Sequence, residues 1–341
     1  MNNTHSLQSS KARFVVGTGR CGSTLLSKML AKNTAVCSIY ELFSGIDFSF
    51  RFKPEPVSGP ELAIRLREDH PMLTMTLKRG YEVPEVVYPF DDSSSQFNIG
   101  DPVPWILGIA IPRITDTPDQ FFEELMAEVE QWPVQKLAVH YRRILDWLTK
   151  VSGKQCWIER SGTSIEYLPE LVNMFPEAKF LHIHRDGREA ALSMREYPTM
   201  RLSTAVMYGM LGDVEFSNES LKALERKDPE AIDHLLKVYP PINLYGRYWS
   251  DQIQRGYDAL GQIAPENFHQ IQFEDMVTNP TQIISEVAAF LELEQGDWIN
   301  DAVALVSGMP VFRYGQLPDD EQALLDDACR QAMTLLDRPM K

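Results

Sequence analysis

One short stretch limits this chain's fold more than any other. Arg13-Phe-Val-Val-Gly17 is β-rich, Gly17-Thr-Gly-Arg-Cys-Gly22 is crowded with glycine, and Leu25, Leu26, Met29 and Leu30 follow at helical spacing. A strand, a tight loop and a helix in that order form the opening unit of a parallel α/β sheet. The loop of such a unit leaves backbone N–H groups free at a helix N-terminus, where they attract anions.

The same grammar returns later. Thr34 to Tyr40 reads as a second buried strand ending at Glu41. Gln155–Ile158 reads as a strand followed by a helix over Tyr167–Phe175, and Ala178–His184 as a strand followed by a helix over Gly187–Glu196. Phe268–Phe273 and Thr281–Leu291 make a last strand and helix. Between them regularity fails. Prolines at 54, 56, 60, 71, 84, 89, 102, 104, 112 and 118 predict loops and short elements, with a helical pattern resuming over 119–150. We therefore expect one domain over 1–341 carrying an irregular insertion at 45–150, in the place of a lid or acceptor-binding region.

Composition narrows the function classes. Hydrophobic residues make up 44% of the 341, enough for a sizeable core. The net charge of −15 and the absence of a basic run argue against a nucleic-acid binder, so an anionic ligand must be held by a local cluster of donors. Cys21, Cys37, Cys156 and Cys329 form no CxxC pair, which fits neither a zinc knuckle nor a disulfide framework and suits a reducing compartment. The polar N-terminus and a longest apolar stretch of only Trp105–Ile111 predict a cytoplasmic protein with no membrane span.

The Gly-rich loop admits three readings. Gly17-x-Gly19-x-x-Gly22, with Glu41 at the place of a ribose-binding acid, satisfies the dinucleotide fingerprint of an NAD(P)-dependent oxidoreductase. Gly17 and Gly22 also have the spacing of a nucleotidase P-loop, but Ser23 stands at the lysine position, so the main phosphate cation is missing. In the third reading Arg20 supplies the cation from within the loop, Gly22 lets the backbone close in, and Ser23 and Thr24 add hydroxyls at the first helical turn.

A second motif separates these readings. Phe180-Leu-His-Ile-His-Arg185 ends a strand on an arginine, and Ser193 lies eight residues on, two helical turns back toward the same side. Together with the Gly-Arg-Cys-Gly-Ser-Thr loop and the late Ile271-Gln-Phe-Glu-Asp-Met276 stretch, this resembles the sulfotransferase superfamily over 13–42, 155–196 and 268–293. The resemblance implies a three-layer α/β sandwich with a mainly parallel sheet and a P-loop-like nucleotide-binding core. It implies 3′-phosphoadenosine 5′-phosphosulfate (PAPS) as co-substrate and a small-molecule or carrier-bound hydroxyl acceptor.

The resemblance also assigns roles. Gly19, Arg20, Cys21, Gly22, Ser23 and Thr24 would hold the 5′-phosphosulfate, and Arg185 and Ser193 the 3′-phosphate. Glu41 stands at the separation from the loop arginine used by the branch with a glutamate base, which includes tyrosylprotein and bacterial sulfotransferases. Arg160 matches a basic residue on the transferring group, and arginine there allows bidentate contact. A branch using histidine would turn instead to His70 or His140. No metal is expected where arginines and backbone donors supply the charge. A catalytically inactive binder of PAPS or its desulfonated product (PAP) keeps the same motifs.

Other residues carry plainer expectations. His182 and His184 read as structural histidines on a core strand, and Glu274 and Asp275 as residues fixing a strand end. Arg313 and Gly315 are candidates for a C-terminal segment covering the nucleotide. Phe43, Phe48, Phe50 and Phe52 either line an acceptor pocket or belong to the core.

Overall fold

The structure, a computed structural model, describes residues 11–339. Five strands form one sheet: β1 Arg13–Val16, β2 Val36–Tyr40, β3 Cys156–Arg160, β4 Lys179–His184 and β5 Phe268–Gln272. Their order is β2-β3-β1-β4-β5 and every pairing is parallel. The register sets Tyr40 opposite Arg160, and Val15 opposite both Arg160 and Leu181. The residues just beyond β1, β2, β3 and β4 therefore meet at one edge, where ligands of open α/β sheets bind.

Alternation along each strand builds the layers. Phe14, Val16, Ile39, Trp157 and Phe180 face one core, packed with Phe43, Leu125, Tyr141, Leu145 and Leu171. Val15, Ile158, Leu181 and Ile183 face the other, packed with Leu26, Met29, Met276, Ile284 and Val287. The sheet is thus covered on both faces, as a three-layer α/β sandwich requires.

Two further clusters lie outside the sandwich. The helix Asp319–Leu335 packs on the helices Ile242–Tyr257 and Gly187–Arg195, with Trp249, Leu325, Cys329 and Met333 buried between them. The helices Pro71–Lys78, Pro198–Met207, Asn218–Lys227 and Pro229–Lys237 bury Met72, Met75, Leu202, Leu221 and Leu235 together.

The proline-rich stretch is more helical than its composition suggests. Gly59–Leu66, Pro71–Lys78 and Pro118–Glu130 are helices with proline in the first turn. A proline there gives up no intrahelical hydrogen bond and brings a φ already suited to the helix. The apolar Trp105–Ile111 stretch is a one-turn helix running into a 3-10 turn. No helix among the described residues is long and apolar enough to cross a membrane. All four cysteines are buried and unpaired.

Sheet order bears directly on the dinucleotide reading. In a dinucleotide fold the strand after the Gly-rich loop pairs with β1, which brings its terminal acid beside the loop. Here β3 lies between β1 and β2, and Glu41 meets Arg160 of β3 instead.

Candidate active site

A cavity of about 400 Å³ opens at the carboxyl edge of the sheet. Gly19, Arg20, Gly22, Ser23, Thr24, Glu41, Arg160, Arg185 and Ser193 all line it. Of the residues expected in the loop, Cys21 alone is turned away, its side chain fully buried with Val15 and Leu26 under the sheet.

The loop depends on left-handed backbone. Gly22 has φ 93°, and a β-carbon there would strike the Phe273 ring, so neither conformation nor space allows another residue without displacement. Arg20 itself takes φ 54°, a conformation uncommon outside glycine. The helix Ser23–Leu30 has no side-chain cap, and its first backbone bond runs from Leu26 N–H to the Gly22 carbonyl. The earlier N–H groups have no intrahelical acceptor, which suits them to an anion.

The two arginine motifs meet. Arg20 Nε donates to Ser193 Oγ at 3.2 Å, although the residues are 173 positions apart. The Arg20 guanidinium also lies 4.7 Å from the Tyr197 ring centre and 3.5 Å from Glu85 Oε1. Arg185 is 3.5 Å from Glu189 Oε2 and stacks over Phe273 at 5.0 Å. Burial pulls the Arg185 guanidinium down from the usual arginine value, with Glu189 and Glu274 opposing.

Glu41 is held from every side. It ends β2 in left-handed backbone at φ 58°, and its N–H donates to the Arg160 carbonyl at 2.8 Å. One carboxylate oxygen pairs with Arg160 Nη1, and the other accepts from Gly162 N–H at 2.7 Å. The Trp105 indole N–H donates to the Glu41 carbonyl. Arg160 is 2% exposed, lies over the Tyr40 ring at 4.7 Å, and keeps a buried Nη2 with no partner in the protein. A buried guanidinium N–H without an acceptor fits an oxyanion of the ligand.

Behind this pair Glu159 is fully buried, accepting from Leu42 N–H at 3.1 Å and Ser161 Oγ at 2.6 Å. Burial pushes its carboxyl up to about 8, with the Glu41 charge adding to the effect.

The two candidate histidines part company. His140 is fully enclosed, bonded to the Val57 carbonyl at 2.9 Å and to Gln135 at 3.0 Å, and does not line the cavity. His70 does line it, with its ring 4.9 Å from Trp105 and Nδ1 unpartnered. Burial draws His70 down to about 4, so it is neutral at ordinary pH.

The plainer expectations also find their places. His182 and His184 lie 5.3 Å apart inside β4, and burial lowers both. Glu274 accepts from Asp186 N–H at 3.0 Å and pairs with Arg338, fixing the turn after β4. Glu189 accepts from the N–H groups of Arg313 and Tyr314, both at 2.7 Å, which ties the C-terminal segment beside Arg185. Among the phenylalanines, Phe43 and Phe50 are core and Phe52 packs on Phe43 and Tyr167, whereas Phe48 lines the cavity.

Several cavity residues escaped the sequence reading: Glu85, Trp105, Met72, Tyr197, Phe216 and Tyr248. None sits in a motif. Glu85 follows Pro84 in the proline-rich stretch and had no local signal. Among the described residues, no three His, Cys, Asp or Glu side chains gather to hold a metal ion.

The sulfotransferase domain from the curacin biosynthetic pathway is similar in fold over 97% of this chain and 99% of its own, with 15% identity and a TM-score of 0.53. The sulfotransferase domain from the olefin synthase of Synechococcus PCC 7002 aligns over 95% and 94% at 15% identity, TM-score 0.47. Sulfotransferase STF9 from Mycobacterium avium aligns over 97% and 78% at 14% identity, TM-score 0.48. No curated protein sequence matches significantly. The sulfotransferase family profile matches residues 13–240 and 234–297. Because that match runs from the first strand past the last one, taking in both arginine motifs and the edge where they meet, the chain belongs to the sulfotransferase family.

Proposed function

We propose that this protein transfers a sulfuryl group from PAPS to a hydroxyl acceptor by in-line displacement. The observation that carries the reading is the Arg20–Ser193 contact, which joins the loop suited to one phosphate and the Arg185 motif suited to another across a single cavity. A nucleotide with phosphates at both 5′ and 3′ positions matches that pair, and a dinucleotide does not.

PAPS, when bound, would supply an activated sulfuryl group on its 5′-phosphate. The residues present fit it: free N–H groups at the loop, an unpartnered Nη2 on Arg160, and a glycine where a side chain would fill the cradle. Backbone N–H groups of the loop with Ser23 and Thr24 would hold the 5′-phosphate. Arg185 and Ser193 would hold the 3′-phosphate, beside the segment of Arg313 and Gly315. Arg20 would face the oxygen that leaves with the phosphate, where negative charge gathers. Arg160 Nη2 would donate to a sulfuryl oxygen.

Glu41 would take the proton of the acceptor hydroxyl as its oxygen bonds to sulfur and the bond from sulfur to the bridging oxygen breaks. Each carboxylate oxygen of Glu41 keeps a second lone pair besides the one engaged by Arg160 or Gly162. His70 is the runner-up base, because it lines the cavity and is neutral. His140 is left without a role. We take 1–341 as one catalytic unit whose 45–150 region walls the acceptor, and the four reduced cysteines support a cytoplasmic setting.

Titration calorimetry with PAP, NAD and ATP in parallel, followed by transfer from labelled PAPS, tests the reading. Tight binding of PAP alone, with label moving to an alcohol, is the expected result. Preference for NAD would overturn it, and PAP binding without turnover on any acceptor would reduce the protein to a nucleotide binder.

A further inference from the structure

Beyond Glu41 the cavity wall changes chemistry. Phe48, Met72, Leu73, Trp105, Ile109 and Phe216 form it. Phe48 and Phe216 pack edge to face at 4.3 Å, which closes one side. Two polar atoms on this wall are engaged: the Trp105 indole N–H serves the Glu41 carbonyl, and Met72 Sδ accepts from Ser203 Oγ at 3.3 Å. The unpartnered His70 Nδ1 and Ser44 Oγ are few beside the apolar side chains, so a polyhydroxylated acceptor would leave most of its remaining hydroxyls without partners, which a buried site penalises.

One charged group lining the cavity has no part in the transfer reading above. Glu85 spends Oε1 on Arg20 at 3.5 Å, while its Oε2 is buried and has no hydrogen-bond partner in the protein. Its backbone is pinned, since Arg113 Nη2 donates to the Glu85 carbonyl at 2.9 Å. A buried, unsatisfied carboxylate oxygen in a cavity calls for a donor from a ligand. The sulfuryl donor cannot provide it, because it brings only anionic oxygens to this end. The acceptor can, by sharing the hydrogen of its hydroxyl between Glu85 Oε2 and Glu41, the base that takes it.

We infer that Glu85 and this wall form an acceptor subsite for an uncharged, largely apolar alcohol. The hydroxyl hydrogen is shared between Glu85 Oε2, which orients it, and Glu41, which takes it; the body lies against the six apolar residues, and alcohols that carry an anionic group are rejected. This rests on the sulfotransfer reading above. The charges of Arg20 and Arg160 are already matched by Glu85 and Glu41, and the anionic donor, when bound, adds further negative charge, so this poorly solvated cavity repels an anionic acceptor more strongly than water would. Burial first and then Glu41 hold the Glu85 carboxyl above the usual range.

The test compares 2-naphthol, 6-hydroxy-2-naphthoate and methyl glucoside as acceptors for the full chain with PAPS. PAP titration is run on every variant. We expect kcat/KM for 2-naphthol to exceed that for the naphthoate and the glucoside by at least about 30-fold. Glu85→Gln should shrink the naphthol-to-naphthoate ratio at least about tenfold with PAP still bound, since the amide keeps the shape and removes the charge. Phe216→Ala, which leaves the loop untouched, should raise the KM for 2-naphthol by roughly 5- to 10-fold with PAP affinity unchanged.

Equal use of the two naphthols, preference for the glucoside, a ratio unmoved in Glu85→Gln, or PAP binding with transfer to none of the three would overturn the inference alone. Failure of the parent protein to bind PAP would instead remove the reading on which it rests.

Discussion

The two ends of the cavity, proposed above as a donor end and an acceptor end, are assembled in different ways. At the donor end Gly19, Arg20, Glu41, Arg160 and Arg185 all lie at or within a few residues of a strand terminus, and the parallel register brings them together. At the acceptor end Phe48, Met72, Glu85, Trp105, Phe216 and Tyr248 come from scattered helices and turns that share no sheet position. The donor end is also tied by charge, with Glu41 and Arg160 paired in near-complete burial. The acceptor end is mostly apolar packing. Substitutions should therefore disable the first end and retune the second.

The largest effect should come from Arg160→Ala. It strands the Glu41 carboxylate in the interior, and loss of one partner from a buried pair costs about 3–5 kcal/mol of stability. Denaturant unfolding should register this, and transfer should vanish. Stability within error of the parent would mean that the pair is not the tie that distinguishes the donor end.

Glu41→Gln keeps the volume and removes the base, so turnover should fall about 10²- to 10⁴-fold while calorimetry finds PAP still bound. Unchanged turnover would transfer the base role to His70. Arg185→Ala should act on binding rather than chemistry. It should weaken PAP by about 1.5–3 kcal/mol, the worth of a charge-assisted hydrogen bond, with smaller loss of rate at saturating donor. A rate defect without a binding defect would erase the division between the 3′-phosphate motif and the transfer centre.

The smallest effect concerns Glu159, buried behind Glu41. Burial pushes its carboxyl up to about 8 in the folded state, against an ordinary 4.5. Between those values the folded protein holds a proton that the unfolded chain has lost, so stability falls as pH rises through this window. Glu159→Gln should flatten that slope, with Tm gaining about 2–4 °C on the parent near pH 9 and little near pH 5. An unaltered slope would show that the carboxylate is ionised and satisfied by Leu42 and Ser161.

The same contrast explains what could be read before the structure. The opening strand, loop and helix were legible because their signals are local: alternation by two, glycines that permit left-handed turns, and apolar residues at helical spacing. Arg185 and Ser193 could be paired because one helix carries the second back toward the first. The proline-rich stretch misled, because Pro60 and Pro71 start helices, and composition does not tell a first-turn proline from a loop proline. Glu85 and Trp105 stayed invisible, having no partner within reach along the chain.

What the chain's own order of residues determined is one end of the cavity, proposed as the donor site: strand termini, a glycine loop, and cations at fixed intervals, all encoded by short-range backbone preferences. What only the tertiary structure decided is who meets whom. β3 inserts between β1 and β2, so Glu41 pairs with Arg160 rather than facing a ribose. His140 is enclosed while His70 reaches the cavity, and Glu85 arrives beside Arg20 from 65 residues away. Those outcomes depend on strand order and on the packing of distant apolar faces, which no local pattern contains.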